Sequence, residues 1–297
     1  MNEQLLRLIK PMADRLSRLA ARRRYIRESS KIFEEPRPTP MGFKLAGNKA
    51  MQSGAFEPEE TRIVEQLLGQ VDTVVNIGAN IGYYCCIALA RDKYVVAFEP
   101  MQQNLRYLLR NIKANNWESR IEVYPLALSD RVGVIEIYGG GTGASLVKGW
   151  AGTPEHHVTL VPRTTLDNAL GTRFAGKQCL MLVDIEGAER LMLAGASIFI
   201  AMDPKPVWLV EVSISEHQPD GIKINPHLSS TFEVFWDSGY EAWTADSTCR
   251  LIQPDEIRQV VSSGTDTLHT HNFLFIEKGH RHQFLSPHET LTNTTSK

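Results

Sequence analysis

From about Gln52 onward the chain alternates two kinds of patterning. Short apolar runs such as "VDTVVNI" (71–77), "YVVAFE" (94–99), "QCLMLVDIE" (178–186) and "PVWLVEVS" (206–213) carry few polar residues. Runs of this kind predict strands buried on both faces, as parallel strands are. Between them lie "PEETRIVEQLL", "GYYCCIALARD", "MQQNLRYLLRNIKANN" and "GAERLMLAGASIFIAM", which predict helices. "IEVYPLAL" reads as a third strand, and "GVIEIYGGG" with "HHVTLVP" as a β-excursion around a glycine-rich loop. "YEAWTA" and "NFLFIEK" complete the sheet. This order predicts an α/β fold with a doubly wound sheet.

The two ends differ from this middle. "LLRLIKPMADRLSRLAARRRYIRESSKIF" favours helix and is basic, with Arg15, Arg18, Arg22, Arg23, Arg24 and Arg27. It is expected to pack its leucines on the main domain or on a second subunit, which leaves a homodimer open. The competing expectation is peripheral contact of residues 1–31 with an anionic membrane face or a polyanion. "EEPRPTPMG", with three prolines at alternate positions, reads as a stiff linker. The expected organisation is a basic helical extension and Pro-rich linker over 1–50, a main domain over 51–280 and a polar tail over 281–297.

A formal net charge of -2 on 297 residues argues against a protein that coats nucleic acid with its whole surface. No apolar run approaches the roughly 18 residues that span a bilayer. Cys85, Cys86, Cys179 and Cys249 form no CxxC pair. All four are expected to be reduced, buried thiols in a reducing compartment, with the cytoplasm as the default location.

The stretch "VVNIGANIGYY" carries the first chemical question. A dinucleotide turn needs G-x-G-x-x-G, and a phosphate loop needs Lys-Ser/Thr after its last glycine. Here Gly78-Ala79-Asn80-Ile81-Gly82 has Asn80 in place of the middle glycine, so a diphosphate is disfavoured. Gly78 and Gly82 permit close approach and unusual φ angles. The helix starting near Tyr83 offers unpaired N–H groups to a carboxylate. Glu99, ending "AFE", suits both hydroxyls of a ribose, and Asp184 ends the fourth strand at the same sheet edge. A ligand with a ribose, an amino-acid end and no phosphate matches, and S-adenosylmethionine fits that description.

"VVNIGANIGYY", "VVAFEPMQQNLRYLLRNIKANN", "LALSDRVGVIEIY", "TTLDNAL", "LVDIEGAERLMLAGA", "PVWLVEVS" and "HNFLFIEK" together resemble the FkbM family of S-adenosylmethionine-dependent methyltransferases, from about Val71 to Lys278. The resemblance implies a class I methyltransferase (Rossmann-like) fold whose antiparallel last strand is "NFLFIEK". It implies methyl transfer, usually to a hydroxyl oxygen of a sugar, polyketide or other small metabolite. An N- or C-methyltransferase, and a non-catalytic nucleoside-binding or scaffold module, remain the alternatives. By resemblance Gly78, Ala79, Asn80 and Gly82 line the methionine portion, Glu99 holds the ribose, and Ala127, Leu128 and Ser129 lie beside the adenine. Asn76 stands where the family usually has Asp, losing a charge that favours the cofactor's ammonium. Leu182 stands where the family often has Lys.

An alcohol is a poor nucleophile at neutral pH, so a proton acceptor is expected near the methyl. Asp184, Glu186 and Glu211, at strand ends, are the candidates. Glu186 also reads as a helix N-terminal charge. His217, His269 and His271 fall in loops or strand ends, with His217 assigned to the acceptor. A divalent cation on the three carboxylates is left open but not implied. The loop "YGGGTGASLVKGW" is expected to be a flap over the acceptor, contacting it through Ser145 and stacking Trp150 on it.

Overall fold

The computed structural model describes residues 34–284. The basic N-terminal helix, its proposed membrane or subunit contact, and residues 285–297 of the polar tail lie outside them.

The described chain opens with β1 (Arg37–Pro38) and β2 (Lys44–Leu45), followed by α1 (Lys49–Ser53) and α2 (Pro58–Leu68). β3 (Thr73–Ile77), α3 (Tyr83–Ala90), β4 (Tyr94–Phe98), α4 (Gln102–Ala114) and β5 (Ile121–Tyr124) alternate as the patterning predicts. An excursion follows through β6 (Ala127–Leu128), β7 (Gly133–Tyr138), β8 (Val158–Thr164) and α5 (Leu166–Leu170). The chain returns with β9 (Cys179–Val183), α6 (Glu189–Leu193), α7 (Ser197–Ile200) and β10 (Val207–Glu211). It closes with α8 (Leu228–Asp237), β11 (Tyr240–Thr244), β12 (Leu251–Ile252), α9 (Pro254–Ser263), β13 (Asn272–Glu277) and α10 (Arg281–Phe284).

The main sheet has the order β12-β11-β13-β10-β9-β3-β4-β5. β5, β4, β3, β9 and β10 are mutually parallel, and β13 inserts antiparallel between β10 and β11. This is the class I methyltransferase arrangement, with "NFLFIEK" as the antiparallel strand. The order reverses at β3, where the chain runs outward to β4 and β5 and then resumes on the other side at β9. A crevice opens at such a switch point beyond the carboxyl ends of the strands.

Alternation along each strand splits the core into two layers. Val75, Ile77, Val96, Phe98, Met181, Val183, Trp208 and Val210 face one layer with α5 to α9. Val74, Val95, Ala97, Leu180, Leu182 and Leu209 face the other with α2, α3 and α4. Asn76, two residues after Val74, falls on that second face, a polar group among apolar neighbours.

Four expectations are corrected. "EEPRPTPMG" is no free linker: β1 pairs with β2, Phe43 and Leu45 enter the core, and Asn111 of α4 bonds both the N–H and the C=O of Ala46. "GAERLMLAGASIFIAM" forms two short helices because Gly195 packs tightly; a Cβ there would lie 2.3 Å from the Ser129 carbonyl oxygen. Helices α8 and α9 went unpredicted, although Leu228, Thr231, Phe232 and Phe235 recur at helical spacing and all are buried. Cys249 is only half-buried, while the other three thiols are buried and all four are free. Among the described residues no helix is long and apolar enough to cross a membrane.

Candidate active site

The tips of β3, β4 and β9 are tied together by backbone hydrogen bonds. The N–H groups of Gly78 and Ala79 both donate to the Phe98 carbonyl, at 3.0 and 2.9 Å, and Asp184 N–H donates to Ile77 at 3.1 Å. A Cβ at Gly78 would sit 1.8 Å from the Asp184 carbonyl oxygen, and its φ is +85°. A Cβ at Gly82 would meet Leu108 at 2.3 Å, with φ +88°. Both glycines are therefore demanded by packing and backbone conformation. Gly82 caps α3 and lines neither of the two cavities described next.

Two open cavities adjoin at these tips and share Gly78, Asn80 and Asp184 in their walls. The first runs over β3 and β4 between Glu99, Pro100, Met101 and Asn104 on one side and Ala127, Leu128, Ile137 and Leu146 on the other. Glu99 is only 4% exposed. Its carboxylate accepts the N–H groups of Asn80 (2.8 Å) and Met101 (2.7 Å) and the Asn104 amide (3.2 Å). Burial still outweighs these bonds and pushes its pKa up to about 7. Three of about four lone-pair positions are filled, which leaves room for one further donor from the cavity.

Ala127 and Leu128 supply an apolar wall, as the resemblance implies. Ser129 does not join them. It is fully buried, its hydroxyl donates to Asp130 at 3.0 Å and accepts from Arg163 at 3.1 Å, so it ties β6 to β8 within the excursion.

The second cavity is lined by Met51, Phe56, Glu57, Glu60, Asn76, Ala79, Tyr83, Tyr84, Leu182, Leu209, Glu211 and Asn272, beside the shared residues. Tyr84 donates to Glu57 at 2.6 Å and Asn272 donates to Glu60 at 3.0 Å. Asn76 donates only to the Cys85 sulfur, at 3.4 Å. Asp184 and Glu211 receive no hydrogen bond from the described residues. Burial, followed by carboxylate repulsion, raises the pKa of both well above the usual carboxylate range. Glu57 is raised too, by burial first. Leu182 puts an apolar side chain where the resemblance leads one to expect a cation.

The glycine-rich loop does not offer a free stacking ring. Trp150 is 2% exposed, its indole N–H donates to Glu186 at 2.8 Å, and its ring covers Gly187, where a Cβ would lie 2.5 Å away. The Ser145 hydroxyl donates to the Glu186 carbonyl at 2.5 Å and lines neither cavity. His217 is exposed, with its ring centroid 6.0 Å from that of Trp150. Ser145 and Trp150 thus fasten the loop to Glu186, and the loop itself lines the first cavity through Gly141, Thr142, Ala144 and Leu146. His269 and His271 also line neither cavity; His271 sits 3.2 Å from Glu216.

Sequence reasoning missed Glu57, Glu60, Tyr84, Asn104, Glu189 and Asn272. Glu189 is buried, accepts the Gly187 N–H at 3.0 Å and fixes the turn after Asp184; burial pushes its pKa up to about 7. Glu57 and Glu60 stand at the start of α2, and nothing in their spacing announces that they reach the strand tips. Among the described residues no three His, Cys, Asp or Glu side chains are arranged to hold a metal ion.

A family model described as the Methyltransferase FkbM domain matches residues 76–242. Among solved structures, the FkbM methyltransferase from Methylobacillus flagellatus KT is similar at 19% identity and TM-score 0.42, over 69% of this chain and 43% of that one. The chain thus spans less than half of that protein's length. A precorrin-6y C5,15-methyltransferase from Geobacter metallireducens GS-15 is similar at 10% identity and TM-score 0.40, over 80% and 97% of the two chains. No curated protein matches the chain.

Proposed function

The chain belongs to the FkbM methyltransferase family, and on that premise we propose that it moves a methyl group from S-adenosylmethionine to a hydroxyl of a small acceptor. The observation that carries this reading is the joined pair of cavities at the strand tips, with Glu99 on the floor of one and Asp184 at the junction. The residues fit the cofactor. Glu99 keeps an unfilled lone-pair position for a ribose hydroxyl, and Ala127, Leu128 and Ile137 give an apolar slot for the base. In the first turn of α3 the N–H groups of Tyr83, Tyr84 and Cys85 have no intrahelical acceptor, which suits the methionine carboxylate. The free oxygen of Asn76 and the Asp184 carboxylate suit its ammonium, with Asp184 supplying the charge that Asn76 lacks.

When bound, S-adenosylmethionine supplies an electrophilic methyl on a sulfonium. The protein's work is alignment and proton removal. Asp184, between the two cavities, takes the hydroxyl proton as the oxygen–carbon bond forms. Its raised pKa makes the ionised form a stronger base than an exposed carboxylate, and the cofactor's positive charges would favour that ionised form. Glu211 lies on the acceptor side of the same wall. Four free cysteines support a reducing compartment, and with it the cytoplasm, as the setting.

The test is methyl release by the full chain against a panel of hydroxylated acceptors. Turnover on at least one acceptor is expected, falling at least a hundredfold in Asp184→Asn even at saturating S-adenosylmethionine. Cofactor binding without turnover on any acceptor would instead favour a binding module.

A further inference from the structure

The two oxygens of Glu99 are held unequally. Oε1 accepts from the Met101 N–H at 2.7 Å and from the Asn104 amide at 3.2 Å, whereas Oε2 accepts from the Asn80 N–H at 2.8 Å. A carboxylate oxygen offers about two lone pairs. Oε1 is therefore filled, and Oε2 is the oxygen left for a ribose hydroxyl. The Asn80 and Met101 donors are backbone groups, fixed by the turns after β3 and β4. Asn104, in the first turn of α4, is the side chain of the set.

Its amide has a second hydrogen, and that one points away from the carboxylate. It goes to the Gly141 carbonyl at 3.0 Å, in the glycine-rich loop. Asn104 is 4% exposed, and its amide hydrogens are committed to the floor of the first cavity and to the loop across it. The loop has need of such a tie. Tyr138 and Ser145 exchange backbone bonds at its base, at 2.7 and 3.0 Å, but its tip turns on glycines. A Cβ at Gly140 or Gly141 would meet nothing within 4 Å, so packing does not demand glycine there and its value is backbone freedom. Gly141 and Thr142 nonetheless line the cavity.

We propose that Asn104 is a positioning residue for the cofactor: one amide hydrogen fixes Oε1 of Glu99 so that Oε2 faces the ribose, and the other holds the glycine-rich loop over the adenosine. This rests on the methyltransferase reading above and adds a coupling to it. A carboxylate that rotates away, or a loop that lifts, breaks one bond and loosens the other, so ribose capture and loop closure act together. Aspartate could not take the place, because when ionised it has no donor and would set a like charge against Glu99. Leucine matches the size and loses both bonds.

The test is calorimetric titration of S-adenosylhomocysteine into the full chain and into Asn104→Leu between pH 6 and 9, with hydrogen–deuterium exchange of residues 139–146 followed alongside. A donor to an ionised carboxylate favours that form, so its loss should move the pH midpoint of binding upward from about 7, by roughly half a unit or more. Asp184, Glu186 and the Cys85 thiol share the cavity or sense Glu99, and the Asn104 amide bonds none of them, so the moved midpoint belongs to Glu99. At pH 8 the variant should bind at least tenfold more weakly. Ligand should slow exchange of the loop at least tenfold in the unmodified chain, and less than threefold in the saturated variant. The unmodified protein decides by itself if the variant misfolds: in isotope-labelled chain, the Asn104 side-chain amide signals should shift on ligand binding and titrate with the midpoint of the affinity. An unmoved midpoint with affinity within twofold in a folded variant would overturn the proposal and leave the methyltransferase reading intact. So would loop exchange that the ligand leaves unchanged, loop protection that survives the variant, or Asn104 signals blind to ligand and pH. If S-adenosylhomocysteine fails to bind the unmodified chain, the methyltransferase reading falls, and this inference with it.

Discussion

Lowering the pH from 8 to 6 should weaken the binding of S-adenosylhomocysteine about tenfold, and Glu99 should be the cause. Its carboxylate is buried at the floor of the first cavity, and burial holds its pKa at about 7. At pH 8 about nine tenths of the molecules carry the charge, and at pH 6 about one tenth do. If ribose hydroxyls donate to the ionised form, affinity follows that fraction. Glu99→Gln removes the charge at every pH. A hydrogen bond to a charged group is worth about 1.5–3 kcal/mol, so the variant should bind roughly ten- to a hundredfold more weakly at pH 8. Its pH profile should be flat between 6 and 8. Isothermal titration calorimetry at constant ionic strength reads both quantities. Glu189 also titrates near 7, but it holds the Gly187 N–H and lines neither cavity, and the variant separates the two. A flat profile in the unmodified chain, or an equal slope in Glu99→Gln, would refute the ribose assignment.

The same carboxylates act on folding with the opposite sign. Glu99 and Glu189 rise from about 4.5 to about 7 on folding, so the folded chain holds protons that the unfolded chain releases, and stability falls as pH rises through that window. Each should cost about 1 kcal/mol between pH 6 and 8, with Asp184 and Glu211 pulling the same way, and the ligand-free Tm should drop by several degrees; a Tm that climbs from pH 6 to 8 would contradict this. Ser129→Ala should lower the Tm while S-adenosylhomocysteine affinity stays within twofold, since the hydroxyl braces Arg163 and lines neither cavity. A large loss of affinity, measured calorimetrically, would restore its expected place beside the adenine. Trp150→Phe should cost about 1.5–3 kcal/mol in urea unfolding through the lost bond to Glu186, with acceptor KM changed less than threefold. A selective rise in KM would return the ring to the acceptor.

The sheet was legible because each parallel strand is buried on both faces and announces itself as an apolar run. The strand tips followed from topology, which brings Gly78, Glu99 and Asp184 to one edge whatever the side chains around them do. The acceptor side was not legible. Glu57 and Glu60 reach it only because α2 folds across the tips, where Asn272 anchors Glu60 from a strand more than 200 positions away. Trp150 misled for a related reason. An aromatic in a glycine-rich loop suggests a mobile platform, but Gly187 exists to let that ring pack flat against the chain. Ser129 follows directly on β6, and its hydroxyl is taken up by Asp130 and Arg163, partners that its own sequence neighbourhood does not announce.

The most direct measurement is a crystal structure of the full chain with S-adenosylhomocysteine. The adenosine is predicted to fill the first cavity, ribose hydroxyls on Glu99 and base against Leu128, with the homocysteine end reaching the first turn of α3 and the sulfur facing the second cavity. An empty crevice at saturating ligand, or adenosine bound away from Glu99, would contradict the account.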